Sequence, residues 1–342
     1  MMRLPPFRYL APVSVADAAK LMADHGPAAM LVAGGTDLFP NMKRRQFEPS
    51  VLVGLRGIRD LVGVKEEPAG GLRIGAGTTL TAVARHPDVA RAYPALATAA
   101  GVVSTPQLRA MGTLGGNVCV DTRCNYYNQS YQWRKAVNFC MKKDGEICLV
   151  APGSPRCWAV SSSDTAPVLW SLGATVRLIG PSSERTMPIA ALYRDDGIEY
   201  LAKRPDEVLA DILLPPANGI RSVYLKLRRR GAFDFPVLGV AAALQLHGDR
   251  IASARIVLGA VASLPREAVE AAAMLVGQRL QPDLITAVAE RAARPAKPLD
   301  NTDLTHPYRK KMTRVYVERA LRRLAGLADG GRPDPFIEEA RP

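Results

Sequence analysis

The sequence predicts an α+β protein with more than one domain. Three observations support this prediction. Helix and strand patterns alternate through the first two thirds of the chain, turn-separated strand patterns dominate after residue 216, and helical patterns then follow to the end. A chain of 342 residues is also longer than one simple hydrophobic core usually accommodates, so we expect two or three domains.

Composition and charge narrow the class of protein. The hydrophobic content of 48% and the charged content of 23% are typical of a soluble globular protein. No run of eighteen apolar residues predicts a membrane span, and the N-terminal residues lack the apolar segment of a secretory signal. We therefore expect a cytoplasmic protein with reduced thiols. The net charge of +13 comes from dispersed basic residues, which argues against a nucleic-acid partner.

The first segment predicts a helix, a strand and a second helix in close succession. Ser14 is placed to cap a helix that ends near His25, and the apolar residues 29–33 predict a short buried strand. The second helix is expected to run through Arg45. Further strands are predicted at 51–53, 72–75 and 174–178, and further helices at 80–84, 95–102 and 166–172.

The turn between this strand and the second helix is a candidate phosphate-binding loop. Gly34 and Gly35 allow backbone N–H groups to turn inward, and the start of a helix adds partial positive charge. Thr36 adds a hydroxyl donor, whereas Asp37 would repel a phosphate and is expected to cap the helix or to accept from a ligand hydroxyl. Taken alone, the pattern favours a tight strand-to-helix turn without a ligand. Neither a Rossmann glycine fingerprint nor a Walker sequence occurs, so a nucleotide here requires another fold.

The last third of the chain predicts an antiparallel sheet covered by helices. Strand patterns occur at 223–227, 237–246 and 251–258, and helical patterns at 266–276, 284–292 and 308–324. We place a domain boundary near residues 215–220. The predicted regions are therefore 1–56, 57–216, 217–326 and a tail at 327–342, which is expected to be loose or to dock on a partner.

All five cysteines lie in one window of the chain, and their spacing indicates a ligand. They are Cys119, Cys124, Cys140, Cys148 and Cys157. Thiolates suit both zinc and iron–sulfur clusters, but only the first two cysteines approach the spacing of a zinc knuckle. A cluster accepts well-separated ligands, and the aromatic residues of this segment would shield it from water. Spacing alone leaves a cluster, zinc and redox-inert thiols open.

Two glycine motifs and a later serine–aspartate pair together resemble a known family. The motifs are Leu31, Val32, Ala33, Gly34, Gly35, Thr36, Asp37 and Leu38, then Thr113, Leu114, Gly115, Gly116 and Asn117. They resemble the two flavin-binding loops of FAD subunits in the xanthine dehydrogenase and carbon monoxide dehydrogenase group. Ser163 and Asp164 resemble the pair that follows the second loop. The likeness covers nearly the whole chain, but an insertion at about residues 119–160 departs from most members.

This insertion resembles the FAD/iron–sulfur (beta) subunits of 4-hydroxybenzoyl-CoA reductases, including residues 121–124 and 127–130. The resemblance implies a PCMH-type FAD fold with two α/β FAD-binding subdomains and a C-terminal antiparallel sheet covered by helices. It implies that both loops bind FAD, with Val103 near the ring, Asp164 on the ribityl chain and Lys226 beside the flavin. Cys124, Cys140, Cys148 and Cys157 match the four ligands of a [4Fe–4S] cluster, which leaves Cys119 without a role.

The function implied by the resemblance is electron transfer in a molybdenum-containing 4-hydroxybenzoyl-CoA reductase. Ferredoxin would donate electrons, and the [4Fe–4S] cluster and FAD would pass them on for reductive dehydroxylation to benzoyl-CoA. The implied partners are a large molybdopterin subunit and a small [2Fe–2S] subunit, in a dimer of heterotrimers. We expect no catalytic residue on this chain.

Three alternatives to this function stay open. The first is an FAD subunit of an oxidative molybdenum hydroxylase that acts on another aromatic or heterocyclic substrate. The second, from a different class, is a basic nucleic-acid-binding protein stabilised by zinc, although this would leave both glycine loops unexplained. The third is a structural subunit without a redox role.

Overall fold

A computed structural model describes residues 3–328, which form three β-sheets with helices packed around them. The first region contains β1 (Arg8–Leu10), α1 (Val15–His25), β2 (Ala29–Val32), α2 (Leu38–Lys43) and β3 (Val51–Gly54). β3 lies between β1 and β2 and pairs in parallel with both. The side chain of Ser14 accepts a hydrogen bond from the backbone N–H of Asp17, so the predicted cap of α1 is confirmed.

The second sheet has five strands in the order β4-β5-β8-β6-β7, and all of its pairings are antiparallel. These strands are β4 (Val64–Glu66), β5 (Leu72–Gly75), β6 (Thr175–Ile179), β7 (Glu184–Pro188) and β8 (Val208–Leu214). The helices of this part are α3 (Leu80–Arg85), α4 (Pro87–Ala92), α5 (Pro94–Gly101), α6 (Pro106–Met111), α7 (Leu114–Val118), α8 (Tyr131–Ala136) and α9 (Thr165–Ser171). Fully buried Ile74 and Ile212 from the sheet pack with Leu96 and Leu169 from α5 and α9.

The cysteine-containing insertion leaves and rejoins the second region at one point. At its base, Arg123 and Val160 form an antiparallel bridge, with N–H to carbonyl distances of 2.8 and 2.7 Å. Beyond the bridge, α8 is the one α-helix that the structure shows in the insertion. The insertion has its own small core, made of Cys124, Tyr127, Cys140, Cys157 and Ala159.

The third sheet is antiparallel, in the order β12-β11-β10-β9, and three helices follow it. Its elements are β9 (Arg221–Leu227), β10 (Leu238–His247), β11 (Arg250–Gly259), β12 (Arg266–Glu267), α10 (Val269–Ala273), α11 (Pro282–Ala292) and α12 (His306–Leu324). Apolar residues of α11 and α12, among them Val288 and Tyr316, form a buried core with β10 and β11. The predicted helix at 266–276 is wrong at its start, because residues 266–267 pair with β11 before a shorter helix begins.

The predicted α+β fold class, with its C-terminal antiparallel sheet and covering helices, is confirmed. Within residues 3–328, no helix is both long and apolar enough to cross a membrane. The predicted tail at 327–342 lies almost entirely outside the described residues.

Candidate cofactor-binding site

The structure brings the two predicted flavin loops into backbone contact. A Cβ atom at Gly34 would overlap the carbonyl oxygen of Met111, two residues before the second loop. A Cβ atom at Gly112 would lie 3.3 Å from the hydroxyl oxygen of Thr36. Gly35 has a φ of +69°, a left-handed conformation that favours glycine. Gly34 is therefore required for the approach of the second loop, and Gly35 for the turn within the first.

The two loops differ in how their backbone donors are used. Within residues 3–328, the N–H groups of residues 34–37 donate to no protein acceptor. The second loop is braced on the frame, because Leu114 N–H donates to the carbonyl of Thr78 (2.9 Å) and Gly115 N–H to that of Ala76 (2.8 Å). Free backbone N–H groups suit phosphate oxygens. The first loop therefore fits the diphosphate of FAD better than the second loop does.

Asn117 connects the second loop to the segment that follows the insertion. Its side-chain oxygen accepts hydrogen bonds from the Ser163 hydroxyl (2.9 Å), the Thr165 hydroxyl (2.7 Å) and the Thr165 backbone N–H (3.1 Å). These bonds hold Asp164 next to the second loop, although 46 residues separate Asn117 from Ser163. The second loop and the segment 163–165 therefore lie side by side, despite the insertion between them in the sequence.

Asp164 and Lys226 form a buried ion pair with each other. Lys226 Nζ donates to Asp164 Oδ2 (2.8 Å) and to the carbonyl of Val102 (3.1 Å), and Tyr224 Oη donates to Asp164 Oδ1 (2.7 Å). Burial raises the pKa of Asp164, which Lys226 opposes, and burial lowers the pKa of Lys226. The contact of Lys226 with Val102 brings the pair to the residue that directly precedes Val103, the third predicted flavin residue.

One buried side-chain atom close to Asp164 in the chain has no protein partner. The hydroxyl of Ser162 is buried and makes no hydrogen bond within the described part of the chain. Buried hydroxyls are normally hydrogen-bonded. An unsatisfied hydroxyl two residues before Asp164 fits a site that is completed by a polar ligand such as FAD.

Asp37 does not cap α2 in the predicted way. It occupies the N-cap position, but its side chain makes no capping hydrogen bond. Its carboxylate instead forms an ion pair with Arg123 and accepts from Asn41 Nδ2 at 3.2 Å. Sequence analysis did not identify Arg123 as a partner of the first loop, because 86 positions separate the two charges.

Four of the five cysteines line one pocket inside the insertion. Cys124, Cys140, Cys148 and Cys157 are all buried, and the pocket encloses about 240 Å³ of empty space, part of which is open to solvent. The other lining residues are Tyr126, Tyr127, Met141, Lys142, Leu149, Val150 and Ala159. Cys119 lies at the end of α7, packs against the main core of the second region, and does not line the pocket.

These four thiols line one pocket but are not grouped as a ready site for a metal ion. Within residues 3–328, no three His, Cys, Asp or Glu side chains are grouped to hold one metal ion. A zinc ion requires its sulfur ligands to converge on one point, whereas each cysteine of a four-iron cluster binds its own iron. Burial raises the pKa of Cys124 to about 11 and that of Cys157 to about 12, so loading with metal would release protons.

Lys142 places a positive charge in the wall of this pocket. Its Nζ donates to Asp121 Oδ1 (2.8 Å), to Thr122 Oγ1 (2.8 Å) and to the carbonyl of Gly197 (2.5 Å). It also lies 4.8 Å from the centroid of the Tyr127 ring. Sequence reasoning missed this residue, since one lysine among many gives no sign of burial.

Two families match the chain in sequence. Residues 5–217 match the family described as the FAD binding domain in molybdopterin dehydrogenase, and residues 222–324 match the CO dehydrogenase flavoprotein C-terminal domain. The first match alone covers more than half of the chain. The chain belongs to the FAD-binding subunits of the molybdopterin dehydrogenases. The predicted membership of this family is therefore confirmed, and with it an FAD-binding domain.

Members of this family align with almost the full chain. The carbon monoxide dehydrogenase medium chain of Afipia carboxidovorans is 33% identical over 324 residues, which is 94% of this chain and 98% of the relative. The FAD-binding subunit PaoB of the Escherichia coli aldehyde oxidoreductase is 35% identical over 72% of this chain and 79% of its own length. A crystal structure of Cu,Mo-CO dehydrogenase has a chain with a TM-score of 0.78 and 30% identity, covering 95% of this chain and 99% of that one.

Proposed function

We propose that this chain is the FAD- and [4Fe–4S]-carrying electron-transfer subunit of a molybdenum-containing 4-hydroxybenzoyl-CoA reductase. Its family supports the FAD part. The cluster is supported by one observation, namely four buried cysteines around a single pocket. The comparisons with relatives lend the cluster no support, and the reductase activity is supported by the resemblance of the insertion.

In this proposal, residues 31–38 and 113–117 hold FAD, with Val103 near the ring and with Asp164 and Lys226 at its side. Cys124, Cys140, Cys148 and Cys157 hold the cluster. FAD supplies one- and two-electron chemistry, and the cluster supplies one-electron transfer. The proposal that one chain carries both sites is supported by two contacts at the ends of the insertion: the Arg123–Val160 bridge, and the hydrogen bond from Ser163 to Asn117 of the second loop.

The proposed domain division follows the sheets, with regions 1–56, 57–216 and 217–326. The proposed partners are a large molybdopterin subunit and a small [2Fe–2S] subunit in a dimer of heterotrimers, with ferredoxin as electron donor. The description of the Afipia relative as a medium chain, and of a similar structure as a Cu,Mo enzyme, supports such an assembly.

Purification without oxygen tests the proposed cofactors directly. We expect one FAD and about four irons with matching sulfide per chain, and no stoichiometric zinc. Visible absorbance reports the flavin, and metal and sulfide analysis report the cluster. Zinc without flavin would contradict the proposal, and flavin without iron would remove the cluster from it.

Replacement of single cysteines tests the ligand set. Cys140→Ser is expected to abolish the cluster while FAD stays bound, because the flavin loops lie outside the cysteine pocket. Cys119→Ser is the matched control and is expected to retain about four irons. Unchanged iron in Cys140→Ser, or iron loss in Cys119→Ser, would show that the ligand set is wrong.

An FAD subunit of an oxidative molybdenum hydroxylase is the second candidate. It is favoured by the descriptions of the relatives, which include carbon monoxide dehydrogenase and aldehyde oxidoreductase. An assay of the whole complex separates the two candidates. Formation of benzoyl-CoA from 4-hydroxybenzoyl-CoA with reduced ferredoxin supports the reductase, whereas hydroxylation of a substrate with an oxidised acceptor supports the second candidate.

A further inference from the structure

Arg123 is held in one orientation by several contacts around it. Its backbone is fixed by the bridge to Val160, and its side chain is only 9% exposed. The guanidinium forms an ion pair with Asp37, donates to Asn41 Oδ1 at 3.3 Å and lies 4.5 Å from the centroid of the Phe235 ring. An arginine held in this way keeps its charge at a defined place beside the first loop.

Asp37 is the residue of the first loop that opposes a phosphate. It directly follows the two glycines and Thr36, and its N–H group is one of the four free donors of that loop. Its carboxylate is 32% exposed, so it is free to turn toward a ligand unless it is held. A carboxylate close to a phosphate is repelled by it, and the repulsion is larger in a partly buried site than in water.

We propose that Arg123 is a positioning residue for FAD, acting through Asp37. By pairing with the carboxylate and holding it near Asn41, Arg123 neutralises the one negative side chain of the loop and leaves the backbone donors for the diphosphate. The proposal rests on the proposed contact of residues 34–37 with FAD, and it does not depend on the cluster.

The position of Arg123 also has a consequence for the insertion. Arg123 directly precedes Cys124, the first cysteine of the pocket, and Asp37 lies in the first FAD loop. A single ion pair thus joins the base of the insertion to the loop that the proposal assigns to the diphosphate. Without an arginine at position 123, this contact between the insertion and the first loop would be lost.

The test is a double-mutant cycle read out as FAD affinity. Apoprotein of the full chain is titrated with FAD, and the dissociation constant is measured by flavin fluorescence. Arg123→Met is expected to weaken binding by about tenfold or more, because Asp37 is then unpaired. In the Asp37→Asn background, the same replacement is expected to change affinity by less than about threefold. An equal loss in both backgrounds, or no loss in either, would overturn the proposal.

Two further variants separate this role from a general loss of structure. Arg123→Lys keeps the charge and is expected to bind FAD more tightly than Arg123→Met. Arg156→Met removes another insertion arginine, which pairs with Asp195 and stacks on Trp158, and is expected to leave the affinity unchanged. Weakening by Arg156→Met equal to that by Arg123→Met would also overturn the proposal.

Ionic strength gives a second signature. Because the effect of Arg123→Met is assigned to charge repulsion, added salt is expected to recover part of its FAD affinity. A loss that is unaffected by salt would contradict the electrostatic role. A wild-type chain that binds no FAD at all would instead refute the proposed function, so the two failures are distinguishable.

Discussion

Buried charges around the two loops are compensated by other residues of the chain. Lys226 pairs with Asp164, and Arg123 pairs with Asp37. Lys226 and Asp164, which the resemblance assigns to the flavin, therefore also stabilise each other. Burying an ion without its partner costs several kcal/mol. The stability of this site therefore depends on each pair as a unit, and single replacements test that dependence.

Lys226→Met is expected to destabilise the protein by about 3–5 kcal/mol, because Asp164 is left buried without its cation. Lys226 and Asp164 side chains are 4% and 3% exposed, so water cannot replace the lost partner. Urea unfolding of the full chain measures the change. The double variant Lys226→Met/Asp164→Asn is the control and is expected to recover part of the stability, since Tyr224 can still donate to the amide oxygen. A double variant less stable than Lys226→Met would contradict the account.

The pH dependence of Lys226→Met follows from the direction of the Asp164 shift. Burial raises the pKa of Asp164 in the folded protein, and the replacement removes the lysine that opposes this rise. The folded variant therefore retains a proton that the unfolded chain loses above about pH 4. Its stability is expected to fall as the pH rises from there through the folded pKa. Urea midpoints at about pH 5 and about pH 8 measure this, and a higher midpoint at the upper pH would contradict it.

At the scale of elements, the site depends on how closely two backbone turns approach. Glycine is required at position 34, where the loop after β2 approaches the backbone of Met111. The left-handed Gly35 then turns the chain into α2. β5 and the segment after it brace the second loop through the carbonyls of Ala76 and Thr78. The position of the first loop is thus set by β2, which carries it, and that of the second loop by its hydrogen bonds to the segment after β5.

Gly34→Ala is expected to lower stability by about 1–3 kcal/mol and to weaken FAD retention, because its methyl group meets backbone atoms that cannot turn away. Gly57→Ala is the matched control, since its nearest neighbour would be a carbonyl oxygen 3.9 Å away. The control is expected to change stability by less than about 0.5 kcal/mol. Thermal unfolding and flavin content after gel filtration measure both effects. Equal behaviour of the two variants would show that the loops are not in contact.

Local sequence patterns predicted most of the helices and strands, but few of the contacts that these elements make with one another. The cap at Ser14 and the strand patterns of β9, β10 and β11, separated by turns, depend on neighbouring residues, so these elements were predictable. Residues 266–267 were assigned to a helix because their pairing with β11 is a tertiary contact that no local pattern encodes.

The same limit applies to the site. Both glycine loops could be predicted, because a left-handed turn and close backbone contact leave few residue types possible. The ion pair of Arg123 with Asp37 could not be predicted, because it joins residues from different regions of the chain. The convergence of the four cysteines on one pocket was expected from the resemblance, and spacing alone had also allowed zinc.

At the scale of the whole molecule, three sheets provide a frame, and the insertion contacts it beyond its base, since Gln46 Nε2 donates to the carbonyl of Tyr127 (2.5 Å) and Arg134 Nη2 to that of Arg44 (3.1 Å). The insertion has its own small core, and its two ends meet at the bridge between Arg123 and Val160. Asn117, before the insertion, accepts hydrogen bonds from Ser163 and Thr165, after it, and so joins the frame on its two sides. Because the insertion has its own core, we expect the FAD-binding frame to form without it, at the cost of these contacts.

Deletion of residues 124–159 tests whether the frame is independent. The Arg123–Val160 bridge has both backbone hydrogen bonds of a pair that closes a two-residue hairpin, so an Asn-Gly linker fits between them. We expect the shortened chain to fold, to hold no iron and to retain FAD, because both loops and the Arg123–Asp37 pair remain. Soluble yield, flavin absorbance and iron content measure the outcome. A shortened chain that is insoluble or free of flavin would show that the insertion is part of the structural core, as expected for a structural role of the cysteine segment.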